Sequence, residues 1–229
     1  MQLVSIVIPS INEAENIRNL LSAFKAFAAK LPHQELEIIV VDGGSEDNTY
    51  TIASKYAHIL IKTQKGRAIQ QNSGAEVARG DYLWFLHADS KLDFARLAEY
   101  LEYIRTAEWG RFAVKLSGDK FIFRVIEWFM NKRSCLSSIA TGDQGIFVKK
   151  SLFAKIGGFP RQKLMEDIEL SKRLKKRSPM QCGDNLIIET SSRKWEEEGI
   201  YKTIFLMWKL RFLYFIGVSP AKLYKKYYK

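Results

Sequence analysis

The first 105 residues alternate short apolar runs with segments in which apolar residues recur every three or four positions. Apolar runs of strand length, rich in Val, Ile and Leu, occupy residues 3–9, 36–42, 58–63 and 82–86. The segments between them have the spacing of amphipathic helices. Continuous apolar strands that alternate with such helices predict a parallel sheet covered by helices on both faces.

Beyond residue 105 the pattern is less regular. The stretches "RFAVKL" and "QGIFVKK" predict strands, "FIFRVIEWFM" an apolar helix and "MEDIELSKRLKKR" a charged helix. Residues 203–218 are apolar enough to raise the question of a membrane helix, but Lys209 and Arg211 lie near the centre and argue against a span. This segment is predicted either to pack in the core or to lie as an amphipathic helix at a membrane surface.

Composition narrows the class of protein. With 229 residues, 47% of them apolar, the chain suits one large domain or a domain with a short appendage. The two cysteines, Cys135 and Cys182, lack metal-ligand spacing, and we predict that they are reduced core thiols of a cytoplasmic protein. The N-terminal residues have neither the basic region nor the cleavage site of a signal peptide.

The charge is large and unevenly placed. The formal net charge is +11, and beyond Glu198 the chain has lysines and one arginine but no acidic residue. Such an imbalance suits an anionic partner, whether a phosphate-bearing substrate, an acidic lipid surface or a nucleic acid, while a solvated basic tail is the simpler alternative. Because the chain has no helix-turn-helix, zinc or RNA-binding motif, no nucleic-acid partner is predicted.

Three of the predicted strands end in polar clusters, and ligands of parallel sheets bind beyond the carboxyl ends of the strands. The first cluster begins at Pro9-Ser10, the second is Asp42-Gly43-Gly44-Ser45, and the third is His87-Ala88-Asp89. Asp42 is placed either to accept hydrogen bonds from a nucleobase or to sit in an ordinary turn before a helix.

Asp89 raises the question of what holds a carboxylate at the end of an apolar strand. Desolvating a carboxylate is costly unless it is paired, and carboxylates at such edges are typical ligands of Mg²⁺ or Mn²⁺. We therefore predict that Asp89 is a metal ligand. His87 is open to three interpretations: a ligand, a donor to phosphate, or a packed imidazole, of which the last is the commonest for a single histidine.

Two further clusters also leave alternatives open. Glu166 and Asp167 adjoin at a predicted helix start, where they serve either the helix dipole or, for one of them, general-base catalysis. Arg67 follows Lys65-Gly66 at the start of another helix, with Asn72 in that helix. This arrangement suits either a pyrophosphate contact or a solvated helix start.

Taken in order, these stretches resemble the family-2 glycosyltransferases with the GT-A fold. The matching segments are "VSIVIPSINE", "IIVVDGGSEDNT", "GRAIQQNSGAEVARGDYLWFLHAD", "TGDQGIFVKKSLFAKIGGFP" and "MEDIELSKRL". The late segment "RKWEEEGIYKTIFLMWKLRFLYFIGVSP" also resembles a short bacterial subgroup described as radical-SAM/selenodomain-associated transferase 2. The resemblance extends over about residues 4–228.

The resemblance implies an α/β protein of the GT-A (nucleotide-diphospho-sugar transferase) fold, with a mostly parallel central sheet covered by helices and a C-terminal amphipathic helical appendage. It implies a domain over residues 1–195, divided into a nucleotide-binding half (1–105) and an acceptor half (106–195), and a basic helical segment (196–229). The implied activity is inverting, metal-assisted transfer of a sugar from a UDP- or GDP-linked donor to a hydroxyl or lipid-phosphate acceptor. A non-catalytic nucleotide-sugar or anionic-lipid binding protein of the same fold is the alternative.

The resemblance also assigns roles to residues. Asp89 holds Mn²⁺ or Mg²⁺ against the diphosphate, and Asp167 is the general base, with Glu166 beside it. His87 stands where the family has the first aspartate of its D-x-D motif. The remaining assignments are Pro9, Ser10, Glu13, Asp42, Arg67, Asn72 and His87 for the donor, and Asp143, Gln144, Arg193 and Trp195 for the acceptor side. Peripheral contact with the inner face of the cell membrane through residues 199–229 is a further expectation.

Overall fold

The computed structural model describes residues 2–29 and 35–227. Its strands are β1 (Val4–Ser10), β2 (Leu36–Asp42), β3 (Ile59–Lys62), β4 (Tyr82–Phe85), β5 (Lys91–Leu92), β6 (Trp109–Leu116), β7 (Phe147–Lys149) and β8 (Gln181–Thr190). Its helices are α1 (Ala14–Ala28), α2 (Thr49–Ala53), α3 (Arg67–Val77), α4 (Leu97–Arg105), α5 (Phe121–Ser137), α6 (Lys150–Lys155), α7 (Glu166–Leu174), α8 (Arg193–Glu198), α9 (Ile200–Phe215) and α10 (Pro220–Tyr227).

The strands form one sheet in the order β3-β2-β1-β4-β7-β6-β8-β5. The first four strands along the chain pair in parallel, which confirms the parallel unit expected from the apolar runs. In the register of β1 and β2, Ser10 lies opposite Asp42, so the polar residues that end both strands meet at one edge. Since β4 runs parallel to β1 as well, His87 and Asp89 follow at the same edge.

The other half of the sheet is mixed. Strand β7 is antiparallel to both β4 and β6, and β8 is parallel to β6 with a register shift between Phe112 and Ala113. The short β5 returns to pair with β8, antiparallel to it. The mostly parallel sheet is therefore parallel through the first half of the chain and mixed beyond it.

Hydrophobic clusters cover both faces of the sheet. In β1, Ile6 and Ile8 belong to the cluster that includes α1 and α4, while Val7 belongs to the cluster beneath α3, α6 and α7. All three of these side chains are fully buried. Burying a side chain of this size contributes about 1.5–3 kcal/mol relative to leaving it exposed, so burial of the apolar runs stabilises the packing on both faces of the sheet.

Helix α9 has one packed side and one exposed side. Leu210 is 1% exposed and packs with Met165 and Ile168 of the region around α7 and with Leu223 of α10. The opposite side exposes a row of large apolar residues, Tyr201, Phe205, Trp208, Phe212 and Phe215. The packed side agrees with the interpretation as a core helix, and contact of the exposed side with a membrane surface stays a prediction. Among the described helices, none has the length and apolarity needed to cross a bilayer.

The cysteines differ from the prediction. Cys135, near the end of α5, and Cys182, in β8, are joined by a disulfide bond, so they are not separate reduced thiols. The sequence spacing of 47 residues carries no signal of this pairing; it arises because α5 packs across β6 and its neighbour β8. The predicted domain division at residue 195 falls within α8 and stays a prediction.

Candidate active site

The loops after β1 and β2 are tied together at the sheet edge. The Asp42 carboxylate accepts hydrogen bonds from the backbone N–H groups of Gly44 and Ser45, both at 3.1 Å, and from the Ser45 hydroxyl. These bonds build the turn that the simpler interpretation of Asp42 expected. The backbone N–H of Asn12 donates to the Ser45 hydroxyl at 3.0 Å, so the turn also holds the loop that follows β1.

Gln70 was not singled out from the sequence, yet it joins the two strand ends. Its amide nitrogen donates to the backbone oxygens of Ser10 at 2.9 Å and Val41 at 2.8 Å, and its side chain is buried. The nearby Ser10 hydroxyl is buried and has no hydrogen-bond partner among the described residues. Nothing in the local sequence of a glutamine within a helix signals that its side chain will bond the backbone of two strands.

Asn72, predicted on the donor side, holds a turn from the second half of the chain. Its side-chain amide donates to the Phe159 oxygen and accepts from the Phe159 nitrogen, each at 2.9 Å. Both polar atoms of the amide are therefore engaged by the segment that leads to α7. In this position Asn72 ties α3 to the loop between α6 and α7, and the donor-side role remains a prediction.

His87 lies against the loop before β7. Its Nδ1 is 3.3 Å from an Asp143 carboxylate oxygen, and its Nε2 is buried without a hydrogen-bond partner in the described chain. A Cβ added at Gly142 would lie 2.7 Å from that Nε2, so the imidazole packs directly on this glycine. The imidazole is thus packed against the loop, and its role as a ligand or as a phosphate donor stays a prediction.

Asp167 lies in the first turn of α7 and contacts the same loop. One carboxylate oxygen accepts from the backbone N–H of Gly142 at 3.1 Å and the other from that of Ile168 at 2.7 Å. Helix α7 follows Met165, whose φ of 65° is in the left-handed region. The carboxylate of Asp167 is thereby oriented by backbone groups from two segments.

Glu166 forms the link to α3. Its carboxylate is 3% exposed and lies 3.4 Å from the guanidinium of Arg67. Burial and the neighbouring negative charge of Asp167 raise the pKa of Glu166, and the positive charge of Arg67 opposes that rise. Burial alone would raise the pKa of Asp143 too, but the hydrogen bond and charge of His87, with the charge of Arg67, lower it below its usual value.

The C-terminal helices contribute groups that the sequence analysis did not assign to the site. Burial lowers the pKa of Arg211 in α9, and the negative charges of Asp167 and Asp143 oppose this effect. Burial raises the pKa of Tyr227 in α10, which also feels the charges of Arg67 and Asp143. Both side chains thus lie within electrostatic range of the carboxylates. The apolar spacing of residues 203–218 predicted a helix, but it did not predict which residues that helix would pack against.

Asp89 is suited to a metal ion. It is partly buried at the strand-end edge, and no hydrogen bond or ion pair ties its carboxylate to the described residues. The same part of the chain contains no cluster of three or more His, Cys, Asp or Glu side chains able to enclose a metal. Mg²⁺ and Mn²⁺ are commonly held by one or two carboxylates together with substrate phosphates, and a single uncommitted carboxylate fits that arrangement.

Three predicted acceptor residues have contacts of their own, away from the carboxylates. Gln144 is fully buried, accepts from Thr141 and donates to Ser134, so it positions the loop that carries Asp143. Trp195 packs in the cluster around α5. Arg193 is 74% exposed and pairs with Glu197 at 3.9 Å. None of the described contacts brings Arg193 or Trp195 to the carboxylates.

Two predicted donor residues lie at the strand-end edge. Pro9 and Glu13 are both partly buried there, and the Glu13 carboxylate accepts a hydrogen bond from the Asn16 side chain at 2.6 Å.

The sequence profile of Glycosyl transferase family 2 matches residues 5–157. This match covers all but the first residue of the parallel unit, the strand-end clusters, and the loop with Gly142 and Asp143. The chain belongs to glycosyl transferase family 2. The narrower subgroup stays a prediction.

Curated relatives match over part of their length. Glycosyltransferase AglE of Haloferax volcanii is 39% identical over 93 residues, which cover 38% of this chain and 30% of AglE. An undecaprenyl-phosphate 4-deoxy-4-formamido-L-arabinose transferase of Pseudomonas fluorescens is 34% identical over 97 residues, covering 39% of this chain and 28% of that protein. The matches to this family-2 chain thus span less than a third of either relative.

Solved structures show the fold. S. aureus TarS 1–349 has a TM-score of 0.67 at 16% identity, covering 83% of this chain and 60% of that one. The mannosyltransferase PcManGT from Pyrobaculum calidifontis, solved in complex with GDP-Man and Mn²⁺, has a TM-score of 0.65 at 20% identity, covering 82% and 56%. TarS has also been solved in complex with UDP-GlcNAc. The family-2 chain has the GT-A fold of these enzymes.

Proposed function

We propose that this family-2 chain transfers a sugar from a UDP- or GDP-linked donor to a hydroxyl or lipid-phosphate acceptor, with inversion at the anomeric carbon. The observation that carries the proposal is the ion pair of Arg67 with Glu166, which ties the start of α3, beside the strand ends, to the start of α7, which carries Asp167. The structural neighbours TarS and PcManGT, solved with UDP-GlcNAc and GDP-Man, support a nucleotide-sugar donor.

The donor lies across the ends of β1 and β2 in this proposal. Pro9, Ser10 and Glu13 line the nucleotide pocket, and Asp42 retains lone pairs that accept from a base N–H while its turn bonds hold it in place. The Ser10 hydroxyl, buried without a partner in the described residues, is available to the donor. Arg67, at the start of α3 and 45% exposed, contacts the diphosphate.

Asp89 holds Mn²⁺ or Mg²⁺ in the proposed site. Such an ion supplies positive charge beside the nucleoside diphosphate that leaves as the sugar–phosphate bond breaks. Arg67 adds a fixed charge to the same leaving group, and preorganised charge of this kind usually contributes more to catalysis than any other single effect.

Asp167 accepts a proton from the attacking acceptor. Its carboxylate is oriented by the backbone of Gly142 and Ile168, so its remaining lone pairs have a defined direction. Direct attack on the anomeric carbon from the side opposite the leaving diphosphate inverts the configuration. The buried Glu166 keeps Arg67 aligned beside it.

The proposed acceptor side faces a membrane surface. The exposed aromatic row of α9, with Lys202 and Lys209 on the same helix and no acidic residue from 199 to 227, suits an anionic lipid surface. This composition supports peripheral contact with an anionic membrane surface, proposed at the inner face of the cell membrane.

Calorimetric titration of UDP and GDP, with and without Mn²⁺, tests the proposal. We expect one of the two to bind in a manganese-dependent way. Asp89→Asn should lose the manganese-dependent part of the affinity, while Asp119→Asn, which removes an exposed carboxylate elsewhere, should keep it. If the folded protein binds neither nucleotide, the donor site is refuted and the non-catalytic alternative is favoured.

A further inference from the structure

The Cys135–Cys182 disulfide joins the end of α5 to β8. Helix α5 ends just after Cys135, where Ser138 has a φ of 53°, in the left-handed region, and its backbone N–H donates to the Cys135 oxygen. The chain then enters the loop that contains Gly142. The disulfide therefore lies at the start of this loop.

Buried hydrogen bonds hold the same loop against α5. Gln144 is fully buried, and its amide nitrogen donates to the Ser134 hydroxyl at 2.9 Å and to the side-chain oxygen of Asn131 at 3.3 Å. Its amide oxygen accepts from the backbone N–H of Thr141 at 3.1 Å. Both ends of the amide are thus engaged, so the position of the loop depends on where α5 places Asn131 and Ser134.

The loop in turn contacts α7 at two points. The backbone N–H of Gly142 donates to the Asp167 carboxylate at 3.1 Å, and that of Ala140 donates to the Ser171 hydroxyl at 3.1 Å. A shift of the loop therefore changes the orientation of the proposed base. Misplacement of a catalytic group by about 1 Å can lower a rate about 100-fold.

A buried guanidinium contacts the disulfide. Arg111 in β6 is fully buried, and its Nη2 donates to Sγ of Cys135 at 2.7 Å and to the Asn131 backbone oxygen at 2.9 Å. Its Nη1 lies 3.0 Å from a carboxylate oxygen of the exposed Asp184. A positive charge beside a sulfur stabilises its thiolate and makes that sulfur the better leaving group in thiol–disulfide exchange. Since Cys135 and Cys182 are both partly exposed, a thiol can reach the bond.

We propose that the Cys135–Cys182 disulfide is a redox switch that controls the orientation of Asp167. In the oxidised protein the bond holds the end of α5, and with it the loop of Gly142, in the position that orients the carboxylate. Reduction releases α5 from β8, so the loop opens more often and turnover falls. The effect on the loop rests on the fold alone, and the effect on turnover rests on the proposed transferase function.

The reductant in this proposal is a dithiol. One of its thiolates attacks Sγ of Cys182, the S–S bond breaks, and the electron pair stays on the Cys135 sulfur beside Arg111. The second thiolate of the reductant then displaces Cys182 from the mixed disulfide. The dithiol loses two electrons and becomes a cyclic disulfide, while the two protein thiolates take up the two protons that the dithiol released.

Hydrogen exchange measured by mass spectrometry tests the coupling without any substrate. In peptides that cover residues 139–145, we expect amide exchange to be about tenfold or more faster after dithiothreitol treatment, because the loop loses part of the stabilisation that the disulfide provides. Peptides that cover residues 43–48, the loop after β2, should exchange at the same rate in both states. Unchanged exchange at residues 139–145, or an equal increase in both loops, overturns the proposal.

Variants separate the disulfide from the hydrogen bonds. Cys135→Ser with Cys182→Ser should show the faster exchange at residues 139–145 with or without reductant. Ser134→Ala keeps the disulfide but removes the hydroxyl to which Gln144 donates, and it should speed exchange of the same peptides in the oxidised protein. Ser22→Ala, at an exposed position of α1, is the matched control and should leave them unchanged. Equal effects of the two Ser→Ala variants overturn the route through Gln144 on which the proposal depends.

The direction of exchange has a separate readout. After reaction with glutathione, a monothiol, and trapping with iodoacetamide, mass spectrometry should find glutathione on Cys182 and the alkyl group on Cys135. Glutathione on Cys135 would contradict the role of Arg111 and overturn the proposed reaction.

Turnover and nucleotide binding are then compared between the oxidised wild type and the double cysteine variant. Turnover is measured as release of nucleoside diphosphate from a UDP- or GDP-linked sugar, with water as the acceptor. We expect turnover in the variant to be about tenfold or more lower, as for a misplaced catalytic group, with unchanged manganese-dependent affinity for UDP or GDP. Equal turnover, or an equal loss of turnover and affinity, overturns the switch. If neither protein binds a nucleotide but the loop still responds to reduction, the proposed transferase function fails and the redox-coupled loop remains.

Discussion

The two halves of the chain build the site in different ways. In residues 2–105, which contain the proposed donor half, β1 to β4 follow one another along the chain and pair in parallel, so polar loops follow the strands at one edge. In residues 106–227, which contain the proposed acceptor half (106–195) and the C-terminal segment, strands pair in both directions, and the candidate site residues come from a loop and a helix start. The candidate positions in the first region follow from local sequence pattern, and those in the second follow from tertiary packing.

The proposed site lies where these two parts of the chain contact each other. Arg67 pairs with Glu166, His87 with Asp143, and Asn72 with Phe159. Each contact joins a donor-half residue to an acceptor-half residue far from it along the chain. These contacts therefore fix the proposed metal site relative to the proposed base.

The largest expected effect is a loss of turnover without a loss of nucleotide affinity, which would assign the two properties to different parts of the chain. Asp167→Asn keeps the size of the side chain but removes the base, so we expect turnover to fall about 10²–10⁴-fold. Since Asp167 makes no described contact with Asp42 or Asp89, calorimetry should show nucleoside-diphosphate affinity close to that of the wild type. Unchanged turnover in this variant contradicts the base assignment.

A second test concerns stability of the acceptor half, which contains the Cys135–Cys182 disulfide. Reduction, or Cys135→Ser with Cys182→Ser, should lower the free energy of unfolding by about 2–4 kcal/mol, measured by urea denaturation. Mass spectrometry of unreduced peptides checks the bond directly. Two thiols that alkylate in the native protein, with identical unfolding curves in the presence and absence of reductant, would show that the cysteines are reduced after all.

The third test perturbs the packing of the donor half. A Cβ at Gly74 of α3 would clash with Val7 of β1 and lie 3.0 Å from Val41 of β2. Despite the better helix propensity of alanine, Gly74→Ala should lower stability by about 1–3 kcal/mol through overpacking. Glu76→Ala, at an exposed position of the same helix, should change stability by less than about 0.5 kcal/mol. Equal effects of the two variants contradict the close approach of α3 to the sheet.

The smallest expected effect concerns Glu166, whose ion pair with Arg67 joins the two parts of the chain. The pKa of Glu166 is raised from 4.5 in the folded protein, so the folded state binds more protons than the unfolded state just above that value. Its contribution to stability therefore falls as pH rises through the interval between the two pKa values. Glu166→Gln should accordingly gain stability relative to the wild type as pH is raised from about 4 to about 8 in thermal unfolding.

Glu169→Gln, in the same helix, serves as the control. It also removes one carboxylate from α7, so the comparison isolates the effect that is specific to Glu166. A difference between Glu166→Gln and the wild type that is constant over this pH range, or that favours the wild type more at the alkaline end, contradicts the raised pKa. The test is independent of any ligand.

Several elements could be predicted because their signal is local. The apolar runs that became β1, β2, β3 and β4 need no information from distant residues. Strand β8 was missed: Gly183, Asp184 and Asn185 interrupt it with residues typical of turns, and only Leu186 and Ile188 have buried apolar side chains. Its pairing with β6, including the register shift, outweighs weak local propensity.

Candidate site residues divide in the same way. Residues at strand ends, such as Asp42 and Asp89, lie at the predicted edge because parallel strands end together. Gln144, by contrast, is adjacent to Asp143 in sequence and yet fully buried, since the loop turns its side chain toward α5. In a loop, the side chains of neighbouring residues point in unrelated directions. The sequence of a loop has no periodicity from which those directions could be predicted.

By itself the sequence determined the parallel unit, the family and the polar strand ends, because periodicity of apolar residues and short motifs are properties of consecutive positions. Only the tertiary structure decided that Cys135 meets Cys182, that Gln70 joins two strands, and that Arg67 pairs with Glu166. These contacts join residues tens of positions apart, and their formation depends on which helix faces which edge. Burial then sets the electrostatics, since a charge acts strongly only where packing excludes water.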